Sequence, residues 1–302
     1  MNGIINVYKE KGYTSHDVVA KMRGILKMKK IGHTGTLDPD AEGVLPLCIG
    51  NATKVVELII DKDKAYDGVM KLGVTTDTQD MTGRITSIND VNVKEDEVEE
   101  ACKKFVGGYD QLPPMYSAVK VQGKRLYELA RKGQEVERKK RPVIINEILI
   151  RGYNKEENEV SISVSCGKGT YIRTLIHDIG YELGCGASMQ SLVRTRVGDF
   201  QLDNALKLGE IEELVSEGRI ADHILAVDQM LRNYGKVVVE KEHSKLIYNG
   251  NMFYKKQVKE MQTSKEEKHY RVYDADNNFI AIYAYNNDKD VFRPVKMFLT
   301  GG

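Results

Sequence analysis

Lys30-Ile-Gly-His-Thr-Gly-Thr-Leu-Asp-Pro-Asp-Ala-Glu-Gly-Val-Leu-Pro46 is the stretch around which the chain is organised. It holds one histidine, three carboxylates and three glycines, a pattern too irregular for one helix or strand. Its glycines admit backbone angles that other residues avoid, while Pro39 fixes its own φ and biases Asp38 toward an extended conformation. A loop constrained in this way presents its side chains at defined angles, as a catalytic loop must. Composition alone favours the plainer reading of a solvated turn cluster.

Commoner meanings of the stretch are set aside first. Asp38, Asp40, Glu42 and Gly43 imitate the start of a calcium loop, but Ile49 stands where the bidentate glutamate belongs. The Gly-Lys pairs at Gly123, Gly167 and Gly235 lack the Ser or Thr of a phosphate-binding loop. His33 has no second histidine or cysteine at ligand spacing, which argues against zinc. An acidic residue on a rigid loop remains, with a histidine shortly before it.

The 302 residues provide for one large or two modest domains. Hydrophobic residues at 41% and charged ones at 29% make a globular balance. No apolar run reaches the ~18 residues of a membrane span, and no basic-then-apolar leader opens the chain, so a cytoplasmic location is expected. Cys48, Cys102, Cys166 and Cys185 form no C-x-x-C pair and read as reduced core thiols. With 45 basic against 44 acidic residues, any nucleic-acid contact must rest on local patches. Lys27–Lys30 and Arg138–Arg141 are the candidates.

In chain order, Gly3–Tyr8 reads as a strand, and Ser15 as the cap of a helix whose apolar face is Val18, Val19, Met22, Ile25 and Leu26. Val44–Ile49 reads as a strand, followed by a helix capped by Asn51. A strand over Ala65–Val74 places Tyr66, Gly68, Met70 and Leu72 on one face. Turns and a hairpin are expected over Asp77–Ile88, and a helix near Val93–Phe105. Pro113-Pro114 stiffens an extended approach to a basic helix ending near Gly133. As physics, Lys120, Lys124, Arg125, Arg131 and Arg138–Arg141 form a grip for phosphates. Strands at Val143–Arg151 and Val160–Cys166 lead through Gly167-Lys168-Gly169-Thr170 into a helix with Ile172, Leu175, Ile176, Ile179 and Leu183 inward. Arg173 sits in its first turn, opposing the macrodipole, and therefore wants a carboxylate partner. A helix near Leu208–Glu217 follows. From about Tyr234 short strands alternate with Asn- and Asp-rich turns, with a polar loop at Lys255–Lys268, arguing a small all-β barrel-like domain.

Several stretches now converge. Gly32-His33-Thr34-Gly35-Thr36-Leu37-Asp38-Pro39, followed by Gly43-Val44-Leu45-Pro46, resembles the G-H-x-G-x-L-D-P motif of the TruB-type tRNA pseudouridine-55 synthases. Lys64-Ala65-Tyr66 fits that family's K-x-Y context. Gln111–Lys120 is similar to its Q-x-P-P-x-Y-S-A-x-K motif, Gly169–Arg173 to G-x-Y-I/V-R, and Leu192–Gly198 to L-x-R-x-x-x-G.

The resemblance implies an α+β fold. A pseudouridine synthase domain with a mixed, largely antiparallel sheet flanked by helices would span 1–232. A thumb-like insertion would lie at about 111–142, and a PUA-like RNA-binding domain would span 233–302. It implies conversion of uridine to pseudouridine at position 55 in the T-loop of tRNA. The reaction moves a glycosidic bond with no redox change, so neither metal nor organic cofactor is expected. Asp38 would be the catalytic aspartate, ionised to attack or deprotonate the nucleoside, with Arg173 its counter-ion and Tyr66 contacting the target base. His33, Tyr171, Leu192, Arg194, Lys120, Lys124 and Arg125 would bind substrate, with His33 stacking on the disrupted loop. A monomer acting on a T-stem-loop, without membrane or obligatory protein partner, is expected. The rivals are a guide-dependent ribosomal RNA synthase of the same fold, a non-catalytic tRNA-binding or folding protein, and a glycosidase pairing Asp38 with Asp40 or Glu42. The first usually carries lysine-rich extensions that are lacking here. The last needs carboxylates facing each other across a sugar, which such close neighbours need not do.

Overall fold

The computed structural model describes residues 1–121, 123–263 and 266–299, the side chains of Glu266 and Glu267 excepted. In the first half lie strands β1 (Gly3–Lys9), β2 (Ile31–His33), β3 (Glu42–Ile49), β4 (Lys64–Leu72), β5 (Val74–Thr76), β6 (Ile85–Ile88) and β7 (Gly107–Gln111). After them come β8 (Lys120–Val121), β9 (Lys124–Arg125), β10 (Arg141–Asn154), β11 (Glu159–Cys166), β12 (Ala187–Val197) and β13 (Phe200–Gln201). The accompanying helices are α1 (Ser15–Ile25), α2 (Val56–Ile60), α3 (Glu95–Lys103), α4 (Leu126–Ala130), α5 (Ile172–Glu182) and α6 (Leu208–Ser216).

The main sheet runs β1-β3-β12-β4-β11-β10-β7, with β2 added on β3 and β13 on β12. Its pairings are antiparallel except β3 with β12, which places Arg194 beside Gly43. That contact explains Gly43: a Cβ there would lie 2.2 Å from the Arg194 carbonyl oxygen. Period-two alternation decides which side chains go inward. On β4, Tyr66, Gly68, Met70 and Leu72 are all buried, as the pattern predicts. They meet Val160, Ile162 and Val164 of β11 and Leu175, Ile176 and Ile179 of α5 in one core. A second core joins Ile5, Val7, Leu45 and Leu47 to Val18, Val19 and Met22 of α1 and Ile211 of α6.

Several local expectations are corrected. Thr14, not Ser15, caps α1, through a capping box with Asp17. Ser15 is buried, and its Oγ accepts from the Leu37 N–H at 2.9 Å. Asn51 does not cap the following helix; a 3-10 turn over Gly50–Val55 precedes α2, and Asn51 Nδ2 donates instead to the carbonyls of Phe298 and Leu299. The basic helix near the paired prolines is a single short one, α4.

The C-terminal part is a second sheet, of β14 (Tyr234–Val239), β15 (Phe253–Tyr254), β16 (Val258–Gln262), β17 (Glu266–Tyr273), β18 (Phe279–Asn286) and β19 (Val291–Met297). Its order is β15-β19-β18-β17-β14-β16, with β14 and β17 parallel. The expected polar loop at Lys255–Lys268 contains β16, where polar side chains on an edge strand disguise the pattern. Ser264 and Lys265 of that loop lie outside the described residues. A short helix, Ser244–Tyr248, interrupts the expected all-β run. Among the described residues no helix is long and apolar enough to cross a membrane.

The second sheet shares a core with the first. Ile282 and Phe298 are buried with Val44, Val55 and Ile59, and the Phe279 ring lies tilted against Phe298 at 5.2 Å between centroids. The segment leading from the Asp38 loop to Tyr66 is therefore backed by C-terminal side chains. Phe298→Ala should lower the unfolding free energy in urea by about 3 kcal/mol, the cost of emptying a buried aromatic site. A loss below about 1 kcal/mol would show that Phe298 does not bind the two sheets together.

Candidate active site

The loop between β2 and β3 is held from every side. Thr34 donates twice to the Pro46 carbonyl, from N at 3.2 Å and from Oγ1 at 3.0 Å. Leu37 is pinned by Ser15 and buried at 4% exposure. The Pro39 carbonyl accepts from Gly12 N–H at 2.9 Å and from Lys9 Nζ at 3.0 Å. Lys9 is wholly buried, and burial pulls its pKa down to about 8 against the pull of Glu42, Asp38 and Asp40. Sequence reading passed over Lys9, because a lysine ending a strand beside Glu10 looks solvated.

Arg194 supports the same loop from below. It is 1% exposed, donating from Nε to the Val44 carbonyl at 2.7 Å and from Nη2 to Gly35 at 3.4 Å. Of the backbone or phosphate contacts expected of Arg194, those seen here are to protein carbonyls, and its guanidinium also meets the Tyr66 side chain. Desolvation lowers its pKa, and Tyr66 beside it opposes that shift.

Asp38 leaves the loop toward the first turn of α5, where Arg173 Nη2 donates to its Oδ1 at 3.1 Å. The partner demanded by the helix macrodipole is thus present, but the contact is not a two-pronged fork. The other arms of Arg173 go elsewhere. Nη2 also donates to the Tyr116 carbonyl at 2.6 Å, Nη1 donates to the Thr78 carbonyl at 3.3 Å, and Nη1 lies 3.6 Å from Asp80 Oδ2. Among the described side chains, Arg173 Nε is buried with no hydrogen-bond partner.

Asp80 is the group that sequence reading missed. Its Oδ1 accepts from Thr78 Oγ1 at 2.7 Å, Thr82 Oγ1 at 2.6 Å and Thr82 N–H at 3.1 Å. These bonds leave Oδ2 to face Arg173. The signal was the Thr-x-Asp-x-Thr spacing, read only as turn chemistry. Thr174, one position after Arg173, donates to Gln79 Oε1 at 2.7 Å and ties the same loop to α5.

Around the carboxylate the lining is apolar. Leu37, Ala41, Tyr66, Ile172 and Leu192 share one buried cluster. Leu192 stands opposite Gly68 in the β12–β4 ladder, and a Cβ on Gly68 would press within 3.2 Å of the Leu192 Cδ1. Tyr66 is 7% exposed, and burial raises its hydroxyl pKa. Lys64 secures the strand's start by donating to the Ile60 carbonyl at 2.6 Å and the Lys62 carbonyl at 2.5 Å. Tyr171 is half-buried at the entry to α5, and its pKa is also raised by burial. His33 lies nearer the rim, where its Nδ1 accepts from Gly35 N–H at 3.4 Å and its ring meets His16 edge-on at 5.2 Å. Burial, then His16, lowers its pKa.

The structure thus brings Asp38, Arg173, Tyr66, Tyr171 and Leu192 to one pocket. Lys120, Lys124 and Arg125 are exposed on strands β8 and β9. The segment before β8 reaches the site, through the Tyr116 carbonyl. Asp40 is exposed, and Glu42 accepts from Tyr8 OH at 3.3 Å. Neither faces Arg173. No group of three or more His, Cys, Asp or Glu side chains among the described residues could hold a metal ion.

A carboxylate on a rigid loop, countered by a buried guanidinium beside an aromatic and a leucine, is suited to polar chemistry on a planar base. The comparisons agree with that geometry. Residues 23–172 match the model of the TruB family pseudouridylate synthase N-terminal domain, and 173–232 that of the tRNA pseudouridylate synthase B C-terminal domain. The tRNA pseudouridine synthase B of Lachnoclostridium phytofermentans is 52% identical, over 99% of this chain and 100% of that one. That of Bacillus velezensis is 41% identical, over 99% and 98%. One chain of a solved Cbf5-Nop10-Gar1 complex superposes with a TM-score of 0.74 at 26% identity, covering 98% of this chain and 85% of its own. Fold and site define a pseudouridine synthase. Within that class, the chain belongs to the TruB family.

Asp38 keeps 35% of its side-chain surface open while protein packs against the rest. Burial raises its pKa above the ordinary 3.8; Arg173 opposes the shift and Asp80 adds to it. For a carboxyl raised in the folded state, the stability it contributes is full below 3.8 and lost as pH climbs through the raised value. Carboxyl-carbon NMR titration should therefore order three proteins. Asp80→Asn removes a like charge and should titrate Asp38 at lower pH than wild type, and Arg173→Gln removes the cation and should titrate it higher. The reverse order would refute the electrostatic assignment.

Proposed function

We propose that the protein converts uridine to pseudouridine at position 55 in the T-loop of tRNA. The carrying observation is the Asp38–Arg173 pair at 3.1 Å beside the apolar cluster of Tyr66 and Leu192. The C1′–N1 bond breaks, the uracil turns, a C1′–C5 bond forms, C5 gives up its proton to solvent and N1 gains one. Atoms and electrons balance with no co-reactant. Asp38 supplies the anion at the glycosidic centre, and Arg173 holds it charged and oriented. The base must first leave its stack and enter between Tyr66, Tyr171 and Leu192, with His33 at the rim against the disrupted loop. Lys120, Lys124 and Arg125 grip phosphates from the thumb at about 111–142.

Residues 1–232 serve as the catalytic unit and 233–302 as a PUA-like RNA-binding unit backing it. The protein acts as a monomer in the cytoplasm, without an obligatory protein partner. Four buried, unpaired cysteines support a reducing compartment.

The test is a tRNA transcript carrying tritium at C5 of uridine, since isomerisation at C5 releases it and binding does not. Asp38→Asn should keep tRNA binding and lose at least about 10⁴-fold in single-turnover rate, the scale of a deleted nucleophile. Asp40→Asn and Glu42→Gln should each cost less than about tenfold, because neither faces Arg173. Arg173→Lys keeps the charge but cannot span Asp38, Tyr116 and Thr78 together, so the rate should drop by at least about 10²-fold. Comparable tritium release from Asp38→Asn, or a dead Asp40→Asn, would overturn the assignment.

A further inference from the structure

Gln111 ends β7 at the root of the thumb and is 1% exposed. Its carboxamide reaches across to Tyr171, the residue that caps α5 without offering a side-chain hydrogen bond. Gln111 Oε1 accepts from the Tyr171 N–H at 2.8 Å, and Nε2 donates to the Tyr171 carbonyl at 3.1 Å. The same Nε2 meets the Tyr109 hydroxyl, which braces the amide from behind. One side chain thereby satisfies both backbone groups of Tyr171, as a neighbouring strand would.

The place where it does so matters. Tyr171 follows the turn at Gly169, whose φ is +82, and its own ψ of 109 throws the chain into the helix. Nearby, the Leu175 N–H holds the same Tyr171 carbonyl at 3.0 Å from inside α5. A residue clamped at N and C=O has little freedom left in φ and ψ, so its Cα–Cβ direction is set. Arg173 begins two residues later and inherits that frame. Packing alone would not require an amide here, because an apolar side chain of equal volume fills the same space while leaving the Tyr171 N–H unpaired.

We propose that Gln111 is a positioning residue that sets the Tyr171 ring for the flipped base, acting on the reaction through Tyr171 and not on thumb anchorage. Thumb anchorage has its own means: the Tyr116 carbonyl of the thumb root accepts from Arg173 Nη2 at 2.6 Å. The inference rests on the reading of the site as a uridine-isomerising centre.

The test uses the full-length protein and the C5-tritiated tRNA transcript, with filter binding of the same RNA. Gln111→Met keeps the volume and removes both polar contacts. Its single-turnover rate should drop by about 10²-fold, the scale of a misplaced pocket group. The dissociation constant for tRNA should change by less than about threefold, because no phosphate contact is lost. In a Tyr171→Ala background the same substitution should add less than about twofold, since the residue being positioned is gone. Should Gln111→Met fail to fold, Gln111→Asn takes its place, with the amide kept but one methylene short of spanning both groups. Equal slowing in both backgrounds, or an affinity loss that accounts for the slowing, would overturn the inference and leave the site's assignment standing. A wild-type protein that releases no tritium would overturn that assignment, and this inference with it.

Discussion

A guanidinium with 5% of its side chain exposed cannot be left unpaired, and that constraint shapes everything near Arg173. Its acceptors come from separate regions of the chain: Asp38 from the loop after β2, Thr78 and Asp80 from the turn after β5, and Tyr116 from the thumb root. No single element could supply them. The β4–β12 ladder, the turn pinned to Met189 by Met81 N–H at 3.0 Å, and the placement of α5 must all be right before the charge is satisfied. Two carboxylates share this one arginine, so the site is not a simple neutralised pair. Thr78 and Thr82 saturate Asp80 Oδ1 and its Oδ2 faces Arg173, whereas Asp38 keeps an open face. That difference marks Asp38 as the group free to meet a ligand.

A second buried guanidinium does a different task. Arg194 holds Gly35 and Val44, at the two ends of the Asp38 loop, and Lys9 holds Pro39 between them. Burying two cations is costly unless each gains several well-placed acceptors. Here the acceptors are backbone carbonyls in and beside one irregular loop: Gly35 and Pro39 lie in the loop, outside any ladder, and Val44 in the strand that follows it. The desolvation cost of the cations and the unmet polar groups of the loop thus offset each other, and a rigid non-regular backbone results.

How much of this was legible follows from the kind of signal each feature leaves. The β4 face of Tyr66, Gly68, Met70 and Leu72 could be read because period two is written into side-chain type. The pull of Arg173 toward a carboxylate could be read from its place in a first helical turn. Asp38 as that partner came from the family resemblance, and the Thr78 and Tyr116 partners could not be read, since backbone carbonyls carry no residue signature. The burial of Lys9 and Arg194 could not be read either, because nothing in the neighbouring letters reports a tertiary carbonyl. Ser15 was taken for a cap because Thr14 and Ser15 offer the same chemistry, and only the helix start separates them. Strand β16 escaped because an edge strand with polar residues lacks the apolar alternation that marks a half-buried one.

The Tyr116 carbonyl adds an energetic consequence. Arg173 Nη2 serves both that carbonyl and Asp38, so the thumb root and the reactive carboxylate draw on one nitrogen. Displacing the thumb would strip a buried guanidinium of its shortest contact, at 2.6 Å, while its Nε already lacks a partner. The arginine would then depend on Asp38, Asp80 and the Thr78 carbonyl alone, and the direction of its forked end would no longer be fixed from the Tyr116 side. The position of the Tyr116 segment and the orientation of Asp38 are therefore coupled through one shared donor nitrogen, with no rearrangement of the sheet needed to couple them. The coupling is local because it passes through a single side chain that cannot afford to lose another hydrogen bond.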